Sequence, residues 1–476
     1  MRRRAVLAIV LAGAALIDLA VGWTSCSSPP CVQDVAVLSS RAVPLDLDKP
    51  YAAGDYRFLD AAIGSASIVQ LGESLHITAE FPRARLRAVQ YLHEQRGFDV
   101  LALEGSLVQS WLAEEQLLHS TDSRAVDRAQ SIAWFMLWRT PAMREVMAYV
   151  DATRSTPRPL YLTSFDVEIG QSAEYQGEAR IVTDLIAALR SYGPPPDPER
   201  EPELRRGLAA IVDCSAPAEL ASSAVGDLET WIGSIAARVQ PPIHAAALRM
   251  IPDNFRGKLE LCARTRGAPE KWQEVRDELN ARTAIALRDR LSASHAIIVW
   301  AHHSHVSYNS RIPSMGQHLH DALGGAVYTI GTFAGAGRVI DGTVFGERDL
   351  PAISKVGVER MLGAVDHDAY FVDVSRLPTG DLAAGWLVPQ TSRYETLARR
   401  PTILAKDFDG AIYVARVHPS AFFDSFAVTW ILRIWGFVVE HDIGFAIVML
   451  AGFIAAVRAI ARRVRRRLQR RSLVIS

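Results

Sequence analysis

Six ionisable side chains of the sequence each follow a short apolar run, and their types suit the hydrolysis of an ester. They are Glu73, His76, Glu104, Asp166, His302 and His305. A histidine held by a carboxylate can take a proton from water near neutral pH. Either Glu73 or Glu104 could hold His76 in this way. His302 or His305 could then stabilise an oxyanion or protonate a leaving alkoxide.

Direct attack by water is favoured over a covalent nucleophile. No Gly-x-Ser-x-Gly elbow precedes a helix, and no cysteine lies near the candidate histidines. A metal site is a second interpretation, because imidazoles and carboxylates also suit zinc or iron. Its ligands would come from His76, Glu104, His302 and His305. We expect no required cofactor, with a divalent metal as the alternative.

Four apolar runs of strand length place these side chains at the ends of predicted β-strands. The runs are residues 67–71, 99–103, 160–165 and 296–301. Between the first two, residues 79–95 have apolar side chains at helical spacing and Gly97 stops the pattern, which predicts a strand–helix–strand unit. The carboxyl ends of parallel strands share one edge of a sheet, where clefts form. Because buried charges cost free energy unless they are paired, a shared site explains these residues better than packing does.

The rest of the chain predicts an α/β fold with one large helical insertion. Residues 178–291 have a helical composition and are too many for a simple crossover; such an insertion commonly forms one wall of a pocket. Further strands are predicted at residues 326–331, 370–374 and 411–416. Alternating strands and helices indicate a largely parallel central sheet with helices on both faces.

Both ends of the chain predict contact with a membrane. Residues 1–28, with a triple Arg before an apolar run, have the order of a signal peptide or signal anchor. Residues 29–50 are rich in Ser, Pro and Asp and predict a linker. Residues 443–461 predict a transmembrane helix, with an amphipathic helix on the membrane as the alternative, and the basic tail at 462–476 belongs in the cytoplasm. We therefore expect a cell-membrane protein whose catalytic domain is extracytoplasmic.

The charge balance argues against nucleic acid as a partner, and the cysteines are consistent with an oxidising compartment. The 476 residues carry 52 basic and 52 acidic side chains, so no global field favours nucleic acid. Of the four cysteines, Cys214 and Cys262 lie in the predicted helical region. Export to an oxidising compartment predicts that these two form a disulfide.

The motifs around these residues resemble the erythromycin esterase family. The matching pieces, in family order, are Gly72-Glu73-Ser74-Leu75-His76, Ala102-Leu103-Glu104, Phe165-Asp166, Trp300-Ala301-His302 with His305, and Met315-Gly316. The resemblance implies an α/β fold with a helical insertion. It also implies that residues 51–418 form a hydrolase domain that cleaves a macrolactone ester with water activated at His76. It also implies supporting roles for Glu73, Glu104, His302 and His305. We expect Asp166 and Arg276 to bind substrate.

The sequence departs from the family pattern at three positions. Ile77 stands where the family usually has Gly, His303 where it usually has Asn, and Asn280, after the Arg276-Asp277 pair, where it usually has Met. The terminal membrane segments also lie outside the family's catalytic domain. The expected substrate is therefore a small-molecule ester or lactone, with macrolide antibiotics and resistance to them as one case. The alternatives are a surface protein that binds haem or a metal on the same scaffold, and a membrane-anchored metallopeptidase.

Overall fold

A computed structural model describes most of the chain between residues 32 and 420. The described ranges are 32–120, 124–133, 138–170, 178–308, 312–340, 347–350, 357–380, 384–390, 392 and 401–420. The predicted signal segment at 1–28, the predicted transmembrane helix at 443–461 and the basic tail at 462–476 lie outside these ranges. Within the ranges, every helix is too short or too polar to cross a bilayer.

One central sheet organises the molecule. Its strands are β1 Val43–Pro44, β2 Ile68–Glu73, β3 Val100–Ser106, β4 Tyr161–Asp166, β5 Ile297–His302, β6 Val327–Ile340, β7 Glu347–Asp349, β8 Ala369–Asp373 and β9 Gly410–Val417. The strand order is β1-β8-β9-β6-β2-β5-β3-β4, and β7 pairs with the end of β6. The strands from β9 to β4 are parallel, whereas β8 and β1 add an antiparallel edge. The predicted largely parallel sheet is confirmed.

Helices cover both faces of this sheet, as predicted. They are α1 Val32–Arg41, α2 Phe58–Ile63, α3 Glu80–Arg96, α4 Leu107–His119, α5 Ala125–Ala133, α6 Pro141–Thr153, α7 Glu178–Tyr192, α8 Glu201–Val212, α9 Ala218–Ile235, α10 Pro242–Thr265, α11 Trp272–Arg290, α12 His303–Val306, α13 Met315–Leu323, α14 Val358–Leu362 and α15 Leu404–Asp407. Alternate residues of β2 enter opposite cores: Val69 packs on the face with α3 and α6, and Ile68 on the face with α4 and the insertion.

The helical insertion comprises α7 to α11. All five helices lie between β4 and β5, within the predicted bounds of 178–291. The predicted disulfide is confirmed here: Cys214, just after α8, is bonded to Cys262 of α10, with their Cα atoms 5.3 Å apart. The bond therefore joins two helices of the insertion to each other.

The predicted linker over residues 29–50 is wrong in its described part. Residues 32–41 form α1, and residues 43–44 form β1, which pairs antiparallel with β8. Leu38 of α1 is fully buried, and the buried Asp34 accepts a hydrogen bond of 3.1 Å from the backbone N–H of Gly385. The polar composition hid a helix that packs on the domain through Leu38 and Val37.

Candidate active site

Three neighbouring strands end at one edge of the sheet and bring the predicted residues together. β5 lies between β2 and β3, and Glu73 is in register with His302. The ladder between β3 and β4 is irregular between Leu103 and Ser106. Because such an irregularity re-aims side chains, Glu104 can turn from its strand toward β5.

His76 has the geometry of a general base. Its Nδ1 lies 2.7 Å from Oε1 of Glu73, whose side chain is almost fully buried. A carboxylate only accepts hydrogen bonds, so Nδ1 carries the proton and Nε2 has a free lone pair. The His76 side chain is 28% exposed. Burial lowers its pKa, but the hydrogen bond and charge of Glu73 and the charge of Glu104 outweigh that effect and raise the pKa above 6.5.

Glu73 is in turn held by residues that the sequence did not single out. The buried guanidinium of Arg85 pairs with Glu73 Oε2 and lies 3.8 Å from the centroid of the Trp300 ring. The indole N–H of Trp138 donates to Glu73 Oε1 over 3.0 Å, and its ring meets His76 edge-on with centroids 5.6 Å apart. Burial raises the pKa of Glu73, but Arg85 and His76 leave it lowered. The sequence signal for Arg85 is its position among the apolar residues of α3, where a buried cation needs an anionic partner.

His302 lies beside His76 and is neutral. Its Nδ1 accepts a hydrogen bond of 3.2 Å from the backbone N–H of Ser304, so the ring proton is on Nε2. The rings of His302 and His76 have centroids 4.8 Å apart. Burial and the neighbouring His76 lower the pKa of His302 to about 3. The candidate site therefore combines an Nε2–H donor on His302 with an Nε2 acceptor on the neighbouring His76.

His305 differs from the other two because both of its nitrogens face carboxylates. Nδ1 lies 2.5 Å from Asp277 Oδ1, and Nε2 lies 3.1 Å from Glu104 Oε1. Burial lowers the pKa of His305, but these two charges outweigh it and raise the pKa to about 10. Glu104 also accepts the backbone N–H of His302 over 2.9 Å. The structure thus assigns Glu73, rather than Glu104, as the partner of His76.

Asp166 and Arg276 are paired with each other. Arg276 Nε lies 3.1 Å from Asp166 Oδ1 and 3.0 Å from Oδ2, and its Nη2 also binds Oδ2. Only 4% of the Asp166 side chain is exposed, and 13% of that of Arg276. The substrate-binding role predicted for Asp166 and Arg276 stays a prediction. Arg276 also lies 3.9 Å from Glu104 and 3.9 Å from Glu168, so it links the ends of β3 and β4.

His303, a departure from the family pattern, has a structural position. Its Nε2 accepts a hydrogen bond of 3.0 Å from the backbone N–H of Thr332, and its ring packs between Phe333 and Phe408. Gly72 is required beneath it, because an added Cβ would lie 2.9 Å from the His303 ring. Burial lowers the pKa of His303 well below its ordinary value. This histidine packs the turn after β5 against β2.

The other two departures have local structural consequences. Ile77 has a φ of +58°, a left-handed conformation that a β-branched residue rarely adopts and that Gly adopts freely. Asn280 accepts a hydrogen bond of 3.0 Å from the backbone N–H of Val167 through its side-chain oxygen. It therefore fixes the chain just after Asp166, which a Met could not do by hydrogen bonding.

Of the predicted alternative metal ligands, His305 and Glu104 are fully engaged with other protein groups, whereas His76 and His302 keep Nε2 open. Both nitrogens of His305 face carboxylates, and Nδ1 of His302 and of His76 are hydrogen-bonded. In the part of the chain that the structure describes, no three His, Cys, Asp or Glu side chains form a group that could hold a metal ion. The donor set of His76, Glu104, His302 and His305 therefore does not fit a metal centre in this arrangement.

The fold and site define an α/β protein in which a carboxylate-held histidine lies beside a neutral histidine at the carboxyl edge of a largely parallel sheet. The family model for erythromycin esterase matches residues 93–417. The chain belongs to the erythromycin esterase family, and it is an esterase or hydrolase.

Individual relatives are distant in sequence. The Bacillus subtilis protein named "Putative hydrolase YbfO" is 24% identical over 428 residues, which cover 80% of this chain and 91% of that protein. Erythromycin esterase type I of Escherichia coli is 28% identical over 97 residues, or 19% of this chain and 24% of that protein. The structure of a mutant of the erythromycin esterase EreC in its open conformation aligns with a TM-score of 0.55 at 17% identity, covering 81% of this chain and 99% of that one.

Proposed function

We propose that this protein hydrolyses a carboxylic ester or lactone by attack of a water molecule that His76 deprotonates. The observation that carries the proposal is the pair of neighbouring imidazoles, with ring centroids 4.8 Å apart, of which His76 has an acceptor and His302 a donor at Nε2. Among the described residues neither Nε2 has a hydrogen-bond partner. A water that donates a hydrogen bond to Nε2 of His76 can direct a lone pair toward a carbonyl carbon, and the Nε2–H of His302 is then left to donate to the carbonyl oxygen.

His76 can both accept and return the proton that the reaction moves. As the water oxygen bonds to the carbonyl carbon, its proton passes to His76, and Glu73 stabilises the imidazolium that forms. The developing oxyanion is stabilised by the Nε2–H of His302. When the carbon–oxygen bond to the leaving group breaks, His76 returns the proton to the alkoxide. The products are a carboxylic acid and an alcohol, or one hydroxy acid from a lactone.

We further propose a small-molecule ester or lactone as the substrate and the cell membrane as the location. The family supports a macrolactone as one substrate, and hence a role in macrolide resistance. The terminal apolar segments with their flanking arginines support an extracytoplasmic domain that is anchored by residues 443–461. No nucleic acid is expected as a partner.

The test is a substrate panel with the purified full chain. We expect hydrolysis of at least one ester or lactone from a set that includes macrolides, and unchanged rates after treatment with a chelator. His76→Asn should abolish most of this turnover, because it keeps the side-chain shape but removes the proton acceptor. Activity that disappears with chelator and returns with zinc would replace the proposal by the metal mechanism.

A further inference from the structure

We propose that Asp277 of the helical insertion is a positioning residue of the active site: it holds the His305 ring against Glu104, and through Glu104 it fixes the backbone that orients His302. The proposal rests on the proposed function, because it concerns the residue that donates to the oxyanion. Asp277 contacts neither His76 nor His302 in any described hydrogen bond or ion pair. Its effect must therefore pass through His305 and Glu104.

The first link of this chain is the contact between Asp277 and His305. Asp277 is 1% exposed, and its Oδ1 lies 2.5 Å from His305 Nδ1. Its other oxygen accepts a hydrogen bond of 2.9 Å from the side-chain amide of Gln273, one turn earlier on α11. Both oxygens of Asp277 are thus occupied, so its carboxylate is held at a fixed angle to the His305 ring.

The second link is Glu104. Its Oε1 lies 3.1 Å from His305 Nε2, and its Oε2 accepts the backbone N–H of His302 over 2.9 Å. His302 is also the N-cap residue of α12, because its Nδ1 accepts from the N–H of Ser304. The same backbone that Glu104 holds therefore sets the direction of the His302 ring. A shift of Glu104 would turn the Nε2–H of His302 away from the reacting carbonyl.

The charge of Asp277 matters as well as its shape. A neutral imidazole has one N–H and could donate to only one of the two carboxylates, so the ring must be an imidazolium to bind both. Its raised pKa agrees with this. The other ionisable groups near the ring are Arg276, which lies 3.9 Å from Glu104, and His302, which is neutral. Removal of the Asp277 charge leaves Glu104 as the main group that favours the protonated form.

Because Asp277 belongs to α11, the insertion also helps to position the active site. Arg276, its neighbour on α11, binds Asp166 at the end of β4, while Asp277 binds His305 just after β5. Two consecutive residues of one insertion helix thus fasten it to two strand ends. The insertion therefore helps to position the residues of the site. A shift of α11 would change the orientation of His302 through the contacts of Asp277, His305 and Glu104.

The variant Asp277→Asn tests the proposal, because Asn can still accept a hydrogen bond but carries no charge. We expect kcat to fall by about 10²-fold, the usual cost of misplacing a catalytic group by about 1 Å, with KM changed far less. In the wild type we expect kcat to fall at alkaline pH as His305 loses its proton. In Asp277→Asn this fall should begin at lower pH, because His305 would lose its proton there. The matched control is Asp253→Asn on α10, which removes an exposed carboxylate of the same insertion that pairs with Arg256 and Arg290. The control should keep the wild-type kcat.

A readout without turnover separates this proposal from the proposed function. In ¹⁵N-histidine NMR spectra, with His305 assigned from the variant His305→Gln, we expect the His305 ring of the wild type to be an imidazolium at pH 8. In Asp277→Asn we expect it to be neutral at that pH. A wild-type kcat and pH profile in Asp277→Asn, or an unchanged imidazolium signal, would overturn the proposal. If the wild type hydrolysed nothing while the NMR result held, the proposed function would fail and the Asp277 linkage would stand.

Discussion

Two histidine–glutamate clusters of this molecule differ in whether a ring nitrogen of the histidine stays open. At the carboxyl edge of the sheet, His76 uses only Nδ1, on Glu73, and keeps Nε2 open. Beneath the insertion, His244 of α10 uses both nitrogens: Nδ1 lies 2.8 Å from the hydroxyl of Tyr161, and Nε2 lies 2.5 Å from Glu115. A histidine that is paired with a carboxylate can therefore act as a base only if its second ring nitrogen is open to accept a proton.

The surroundings of the two clusters differ in the same sense. His244 is fully buried, and its ring stacks on Trp111 with an interplanar angle of 5°. Tyr161 begins β4, at the opposite end from Asp166, so this cluster lies away from the candidate active site. We infer that the His244 cluster ties the insertion to α4 and β4, whereas the His76 cluster performs chemistry. The predictions below test this division.

The largest effect is expected at His76. His76→Asn removes the proton acceptor, and general base catalysis typically contributes roughly 10²–10⁴-fold, so kcat should fall by at least about 10²-fold. The fold should survive, because the side chain is partly exposed. Steady-state kinetics together with circular dichroism check this. A folded His76→Asn enzyme with near-full turnover would remove the distinction between the two clusters.

Glu104→Gln should give the next largest loss. Its carboxylate holds the His305 imidazolium and the backbone N–H of His302, and it has no described hydrogen bond to His76. The amide keeps one acceptor but loses the charge, so we expect kcat to fall by about 10²-fold through misplacement of His302. Michaelis–Menten constants should show the loss in kcat more than in KM. A change in KM alone would assign Glu104 to substrate binding instead.

His244→Gln should affect stability and leave chemistry nearly unchanged. The substitution leaves Tyr161 or Glu115 without its partner, which costs about 1–3 kcal/mol for a buried polar group. We expect a lower midpoint in urea unfolding and a kcat per folded molecule within about twofold of wild type. A loss of kcat at constant stability would mean that the two clusters are coupled.

The sequence predicted the strand ends well, because an apolar run that stops at a charged residue is a local signal. Glu73, Glu104 and His302 were found in this way, and the structure places them together. The partners of these residues could not be found in this way, because none of them lies at a strand end: Arg85 is on α3, Trp138 lies between α5 and α6, and Asp277 is on α11. A sequence also cannot tell an imidazole with one carboxylate from one with two. The contrast between His76 and His305 therefore required the structure, as did the helix hidden in the predicted linker.

The pH dependence of kcat tests the role of His76 most directly. The base must be neutral to act, and Glu73 stabilises its protonated form, so the pKa of His76 lies above 6.5. We predict that kcat on a cleaved ester falls tenfold per pH unit below an apparent pKa higher than 6.5, and that the residual rate of His76→Asn lacks this limb. A wild-type kcat that stayed constant down to pH 5, or the same acid limb in His76→Asn, would contradict the assignment of His76 as the general base.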